Sequence, residues 1–331
     1  RKNKKNWNNR LGVALSILAM SGREDYWVLE AGVSEIGEME ELSAVLTPDL
    51  AVMVNVGPAH LQGLHTVQGV AREKAQLLKT IPKGGAAIVS QDSPELIQAV
   101  PRREDIVLRT FSVYSDSGAD CFLFQTKGQV EEDENLVIMA QGQDLELNLP
   151  TGRFWILENI LAASCAARHL GCALHDIQAG INRLCLPEHR GDAIECGHVT
   201  ILDDCYNANP LSMRQALKWA KQRAGAKSLV LILGEMKELG AQAEFWHEEL
   251  GGWAADLGPT TVFYSGDHEQ AMRRGFERCG GTCLYPVESE KQFLRLWRSI
   301  GLQSGVVLIK GSRGCALERF VQLLQRELRA S

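Results

Sequence analysis

Where an apolar run ends on a charge, an α/β chain often keeps its chemistry, because ligands gather outside the carboxyl ends of strands, where loop amides and helix N-termini point. Four such ends stand out. ILDDCYNANPLSM (201–213) stops an apolar run on Asp203 and Asp204 and continues with Tyr206, two Asn and a Pro. YWVLE (26–30) ends on Glu30 and opens AGVSEIGEM; LAVMVNV (50–56) leads through GPA to His60; VVLIK (306–310) ends on Lys310 and opens GSRG. A carboxylate and an imidazole on neighbouring strand ends, such as Glu30 and His60, can hold a hard divalent ion that also touches phosphates. Taken singly, each residue reads more simply as a helix cap or a solvated loop charge. Together they point to a ligand site.

The elements that would position these residues fall into two halves. Residues 1 to about 105 alternate helical stretches with short apolar runs of the buried parallel kind, YWVLE, LAVMVNV and AAIVS (86–90). From about 106 to 150 the strands IVLRTFSV, CFLFQ, NLVIMA and LELNL, separated by Gly, Asp and Glu, predict an antiparallel addition to that sheet. Helices are expected over 156–170 and 174–184, with Gly171 ending the first. Beyond a boundary near 187–197, the strands VTILDD, SLVLILG, TVFYSG and VVLIKG alternate with helical stretches. The expected fold is therefore α/β: a central, mostly parallel sheet flanked by helices over 1–192, then a Rossmann-like domain over 193–331.

Composition removes several function classes. The 331 residues carry a net charge of −6 with both signs interspersed, so no basic field advertises nucleic acid or an anionic membrane. The nine cysteines form no CxxC pair; CGGTC (279–283) is the nearest approach to a metal spacing and is read as unoccupied, with the thiols reduced and cytosolic. RKNKKNWNNR before LGVALSILAM imitates a signal peptide, but three Asn interrupt the join and no convincing small-residue cleavage site follows. No run reaches the roughly 20 apolar residues of a membrane span. A cytoplasmic, monomeric protein is expected.

Read in order, NWNNRLG (6–12), EAGVSEIGEM (30–39), NVGPAHLQGL (55–64), VAREKAQLL (70–78), LENILAA (157–163), DDCYNANPLSM (203–213), GEMKELG (234–240) with His247 after it, and KGSR (310–313) resemble the Mur ligases over essentially the whole chain. GEMKELG and KGSR resemble the branch that adds a dipeptide. The resemblance implies an ATP-dependent amide ligase that joins D-alanyl-D-alanine to a UDP-N-acetylmuramoyl-tripeptide through an acyl phosphate. It also implies roles. Glu30, His60 and Lys74, the last as a carbamate, would ligate Mg2+; carbamylation turns a cation into the anionic oxygen donor that magnesium prefers. Asn159 would meet the adenine edge, Asp204 the ribose hydroxyls, Tyr206 and Asn207 the adenosine and phosphates, and Arg190 the phosphate tail, at the face between two domains. Asn8, Asn9, Lys310, Ser312 and Arg313 would meet substrate, Arg being suited to bidentate pairing with carboxylates.

The sequence departs from the family pattern at Glu235, where Asp is expected, at Gln76, where relatives often have an acid, and at Trp155 and Ile156, which replace a His-Asn pair. The larger departure is that G-x-x-x-x-G-K-[ST] occurs nowhere; GAKS (225–228) imitates its tail but precedes a strand. The chain is accordingly expected to be the central and C-terminal portions of such an enzyme, inactive alone for want of the phosphate loop and the front domain. Two other readings stand beside it: a related Mur or folylpolyglutamate-type ligase with another substrate, and a noncatalytic nucleotide-binding module.

Overall fold

The computed structural model describes residues 1–4, 6–114, 118–124, 136–140, 143–147 and 156–330. These form two compact units, the first made of the described residues of Arg1–Leu149 and Ile156–Arg183, the second of those of Leu184–Ser331. Among the described residues no helix is long and apolar enough to cross a membrane.

The first unit runs α1 (Arg10–Leu18), α2 (Glu38–Leu46), β1 (Leu50–Met53), α3 (Leu61–Leu64), α4 (Val67–Ala75), β2 (Ala86–Ser90), α5 (Pro94–Ala99), β3 (Val107–Ser112), β4 (Cys121–Phe124), β5 (Leu136–Ala140), β6 (Gln143–Leu147), α6 (Leu157–His169) and α7 (Leu174–Asn182). Its sheet follows sequence order from β1 to β6. The AAIVS run forms β2, every residue of which is buried. Pairing is parallel from β1 through β4 and antiparallel from β4 through β6. The antiparallel addition thus starts later than the sequence suggests, since IVLRTFSV and CFLFQ continue the parallel order. Helix α5 returns the chain between β2 and β3, as a parallel crossover requires, whereas β5 and β6 are two residues apart and can only pair antiparallel.

YWVLE is not a strand of this sheet. Val28 makes a single bridge to Lys2, and Tyr26, Trp27 and Val28 are exposed. An apolar run needs a neighbouring ladder to become a strand, and here the partner is the short segment at Arg1 and Lys2, with Val28 N donating to Arg1 O at 2.8 Å. Glu30 therefore closes an extended segment rather than a sheet edge.

The second unit runs β7 (Asp192–Cys196), β8 (Val199–Asp203), α8 (Pro210–Ala224), β9 (Leu229–Gly234), α9 (Ala243–Asp256), β10 (Thr261–Ser265), α10 (Glu269–Arg278), β11 (Leu284–Pro286), α11 (Glu290–Ile300), β12 (Gly305–Lys310) and α12 (Glu318–Ala330). The sheet order is β11-β10-β9-β12-β8-β7, parallel throughout except for the β7–β8 hairpin. Strands β8, β9 and β12 are buried at every residue. Their apolar side chains, among them Ile201, Ile232, Val307 and Ile309, pack with Phe263, Phe293 and Phe320 into one core. Placing β12 between β8 and β9 brings three carboxyl ends side by side: Ile309 is in register with both Asp203 and Ile232, and Lys310 with Leu233. Helix α8 starts on a capping box, in which Asn209 accepts from Ser212 N at 2.8 Å and Ser212 Oγ accepts from Asn209 N at 3.1 Å, with Pro210 in the first turn.

Candidate functional site

In the first unit the Asn-rich segment and the Glu30 segment are tied together. Asn8 Nδ2 donates to Glu30 Oε1 at 2.9 Å, and Asn3 brackets the Glu30 backbone, accepting from its N at 2.9 Å and donating to its O at 3.1 Å. Gly32 N donates to Asn8 O at 2.8 Å, and a Cβ on Gly32 would meet the Asn8 side chain at 2.9 Å, so glycine is what allows the two segments to lie this close. Asn9 spends its side-chain oxygen as the cap of α1, accepting from Gly12 N at 2.9 Å. His60 sits in the left-handed region, φ 55°, ahead of α3, with its Nδ1 3.3 Å from Ser34 Oγ. A cavity of about 260 Å³ is lined by Asn8, Asn9, Arg10, Ser34, Glu38 and His60, among others. Asn8 thus joins the Glu30 carboxylate to the cavity that His60 also faces.

Lys74, on α4, lies inside the same unit. Its Nζ donates to Asn55 O at a long 3.4 Å, and burial pushes its pKa below the usual lysine value. Asn55 in turn donates from Nδ2 to Glu158 Oε2 at 2.7 Å, and Ser90 Oγ donates to Glu158 Oε1 at 3.4 Å. Burial raises the Glu158 pKa, against the effect of those two hydrogen bonds. Sequence reading missed Glu158; the available signal was a lone carboxylate in the first turn of LENILAA, just ahead of an apolar run. Its neighbour Asn159 is exposed on α6. Glu73 has a structural part: its buried Oε1 accepts from Gly37 N at 2.9 Å and Met39 N at 2.8 Å, satisfying the start of α2.

The donor types of these residues match the magnesium set that the resemblance implies, although of the three only His60 lines the cavity. Glu30 offers a carboxylate that Asn8 holds in place, and His60 an imidazole beside the cavity. An ammonium has no lone pair to give, but the desolvation that lowers the Lys74 pKa favours the neutral amine from which a carbamate forms.

In the second unit the DDCYNANP loop is knitted to the end of β12. Lys310 Nζ donates to Asp204 Oδ2 at 2.6 Å, to Asn207 O at 3.0 Å and to Asp204 O at 3.4 Å. The Lys310 side chain is 3% exposed and the Asp204 side chain 21%. Burial raises the Asp204 pKa; Lys310 and Arg190 pull the other way. The ammonium of Lys310, expected to meet substrate, gives its donors to the loop itself. Ser312 is likewise turned inward: its Oγ accepts from Lys237 N at 2.8 Å and donates to Ala208 O at 3.4 Å, while its N donates to Glu235 O at 3.0 Å. Arg313 is exposed and pairs with Glu318 at 2.9 Å. The Arg190 guanidinium lies 4.1 Å from the centre of the Tyr206 ring, a cation–π contact that orients both. Asn207 is exposed, its Oδ1 accepting from Ala208 N at 2.9 Å.

GEMKELG follows β9 at the same sheet edge. Glu235 Oε2 lies 3.6 Å from Lys237 Nζ, and its Oε1 3.7 Å from His268 Nε2. His247 is fully buried, with Nε2 accepting from Met236 N at 2.9 Å and Nδ1 2.6 Å from Ala243 O. A carbonyl only accepts and an amide N–H only donates, so the tautomer is fixed with the proton on Nδ1. Burial holds the His247 pKa down to about 4, and the ring stays neutral. The three loops at the ends of β8, β9 and β12 thus share hydrogen bonds through Ser312 and Lys310, while His247 ties the β9 loop to α9.

The Mur ligase middle-domain model matches residues 1–167, and the model named Mur ligase, glutamate ligase domain matches 189–313. The chain is 29% identical over 333 aligned residues to the UDP-N-acetylmuramoyl-tripeptide–D-alanyl-D-alanine ligase of Escherichia coli, covering 97% of this chain and 70% of that protein. Among solved structures it resembles MurF from Acinetobacter baumannii, with a TM-score of 0.85 at 28% identity over 98% of this chain and 70% of that one. It also resembles the MurF ligase of Thermotoga maritima in complex with ADP, with a TM-score of 0.81 at 26% identity over 100% of this chain and 74% of that one. With both family models matched in order along two α/β units, the chain belongs to the Mur ligase family.

Proposed function

We propose that these residues serve the ATP-dependent joining of D-alanyl-D-alanine to a UDP-N-acetylmuramoyl-tripeptide in peptidoglycan synthesis, acting as a monomer in the cytoplasm. The observation that carries this reading is the convergence of DDCYNANP, GEMKELG and KGSR on one sheet edge of the second unit, in a chain akin to ligases named for that reaction. In the reaction the γ-phosphoryl group of ATP moves to the acceptor carboxylate, leaving ADP and an acyl phosphate. The dipeptide amine then attacks the carbonyl carbon, phosphate leaves from the tetrahedral intermediate, and the amine loses a proton. Such transfer rests on positioning and charge neutralisation.

Glu30, His60 and a carbamylated Lys74 would hold magnesium, which would supply that neutralisation at the phosphates. Asn8 keeps the Glu30 carboxylate oriented. On the nucleotide we assign Asn159 to adenine, Asp204 Oδ1 to ribose, Tyr206 and Asn207 to the adenosine and phosphates, and Arg190 to the phosphate tail. Lys310, holding Oδ2, fixes the rotamer of Asp204. Arg313 is assigned to a substrate carboxylate, its link to the partly exposed Glu318 being exchangeable.

The test is phosphate release that depends on D-alanyl-D-alanine, with ATP, Mg2+ and the tripeptide nucleotide, from a form carrying a phosphate-loop segment ahead of Arg1. Release with the dipeptide but not with glutamate is expected. Release with glutamate and a folate acceptor, in place of the dipeptide and the tripeptide nucleotide, would move the assignment to a folylpolyglutamate-type ligase.

A further inference from the structure

We propose that His189, Asp203 and Cys205 form a binding site for a borderline divalent ion, zinc, distinct from the magnesium and nucleotide residues. One ligand atom from each of the three lies within 4.8 Å of the others, and among the described residues no other grouping of three His, Cys, Asp or Glu side chains meets that measure. His189 Nδ1 is 2.7 Å from Asp203 Oδ2, and the Cys205 thiol donates to Asp203 Oδ1 at 3.0 Å. A single carboxylate therefore stands between an imidazole and a thiol.

Nitrogen, oxygen and sulfur together are the donor set of zinc, whereas a thiolate is too soft a donor for magnesium. In a tetrahedral zinc site such donors stand roughly 3.5 Å apart, so the widest pair would draw in by about 1 Å. The backbone that mounts them is already cross-braced. Tyr206 N donates to His189 O at 3.0 Å, Gly191 N to Asp203 O at 2.9 Å, and His189 N to Asp192 Oδ2 at 3.0 Å, with His189 held at φ 62°. Asp203 and Cys205 are buried, while the His189 side chain is 30% exposed, which leaves an open side for entry and for a water as fourth ligand. Asp204 turns instead to Lys310, so the ion and the ribose-assigned carboxylate do not compete. Binding releases one proton, from the thiol, to solvent as the metal–sulfur bond forms.

The test uses Co2+ as a spectroscopic stand-in on the metal-free 331-residue chain. One equivalent should bring up a thiolate-to-cobalt charge-transfer band with the visible intensity of a tetrahedral ion, and zinc should bleach it. Cys205→Ser should abolish the charge-transfer band, and His189→Asn should weaken binding by ~10-fold or more. Cys185 and Cys279 are exposed, so a band that survives Cys205→Ser unchanged belongs elsewhere and overturns the proposal, as does the absence of any band. Because either variant could unfold, cadmium-113 NMR of the unaltered chain gives a second reading. A resonance in the range of one sulfur with nitrogen and oxygen supports the site; one typical of an all-oxygen or multi-sulfur set sinks it.

Discussion

Lys310 shows what one residue gains and loses by burial. Its ammonium neutralises Asp204 and satisfies two loop carbonyls, so removing it leaves a carboxylate and two acceptors without their donor. Lys310→Met is expected to cost about 3–5 kcal/mol, as breaking a buried pair does, and Lys310→Met/Asp204→Asn together less than Lys310→Met alone. Urea unfolding of the three proteins checks this. His247 gives a pH prediction. The folded chain keeps its ring neutral down to about pH 4, whereas the unfolded imidazole takes a proton near 6.5. As pH falls from 6.5 toward 4, only the unfolded state gains that proton, so stability is full above the window and declines through it, by roughly 3 kcal/mol. Below it both states are protonated and the contribution stays constant. Denaturant midpoints across this range should slope less steeply in His247→Gln. Sequence could pick out Lys310 and Asp204 as charged strand ends. It could not pair them, because residues 106 apart in sequence meet only through the insertion of β12 beside β8.

At the scale of elements, the crowd of polar residues after VTILDD resolves into separate duties. Asp203 ends the strand and Asp204 follows it, while Asn209, Pro210 and Ser212 start α8. Asn209→Ala should therefore cost about 1 kcal/mol of stability, typical of a lost cap, and leave the KM for ATP unchanged. Calorimetry and initial-rate kinetics on an active form would separate the two. The central strands of the second unit were legible because full burial on both faces leaves an uninterrupted apolar run. The same rule misleads at YWVLE, since hydropathy reports that a segment could be buried, not that a ladder exists beside it. Strand β7, DAIEC, escaped notice because Asp192 and Glu195 break the apolar pattern; it forms where Gly197, at φ 63°, lets the chain turn into a hairpin with β8. Glu158 escaped too, because its partners Asn55 and Ser90 come from two other segments.

For the whole molecule, the prediction concerns activity. These 331 residues hold no phosphate loop. Such a loop gives several charge-assisted hydrogen bonds to phosphates, each worth roughly 1.5–3 kcal/mol, and about 1.4 kcal/mol is tenfold in rate. D-alanyl-D-alanine-dependent phosphate release from this chain by itself should therefore fall below that of an N-terminally extended form by several powers of ten. Comparable turnover would mean that GAKS or another segment cradles the phosphates.

The placing of β12 between β8 and β9 has a consequence for isotope exchange. The loops assigned to nucleotide and substrate hang from strands whose amides are paired on both sides and covered on both faces. In deuterated solvent the amides of Leu202, Leu231, Ile232, Leu308 and Ile309 should exchange only when the second unit opens as a whole, while those of the edge strand β11 exchange through local fraying. Mass spectrometry of peptic fragments would record a single late step for VTILD, LVLILG and GVVLIK together. Separate, early steps for these three would mean that the loops are carried by a sheet that opens piecemeal.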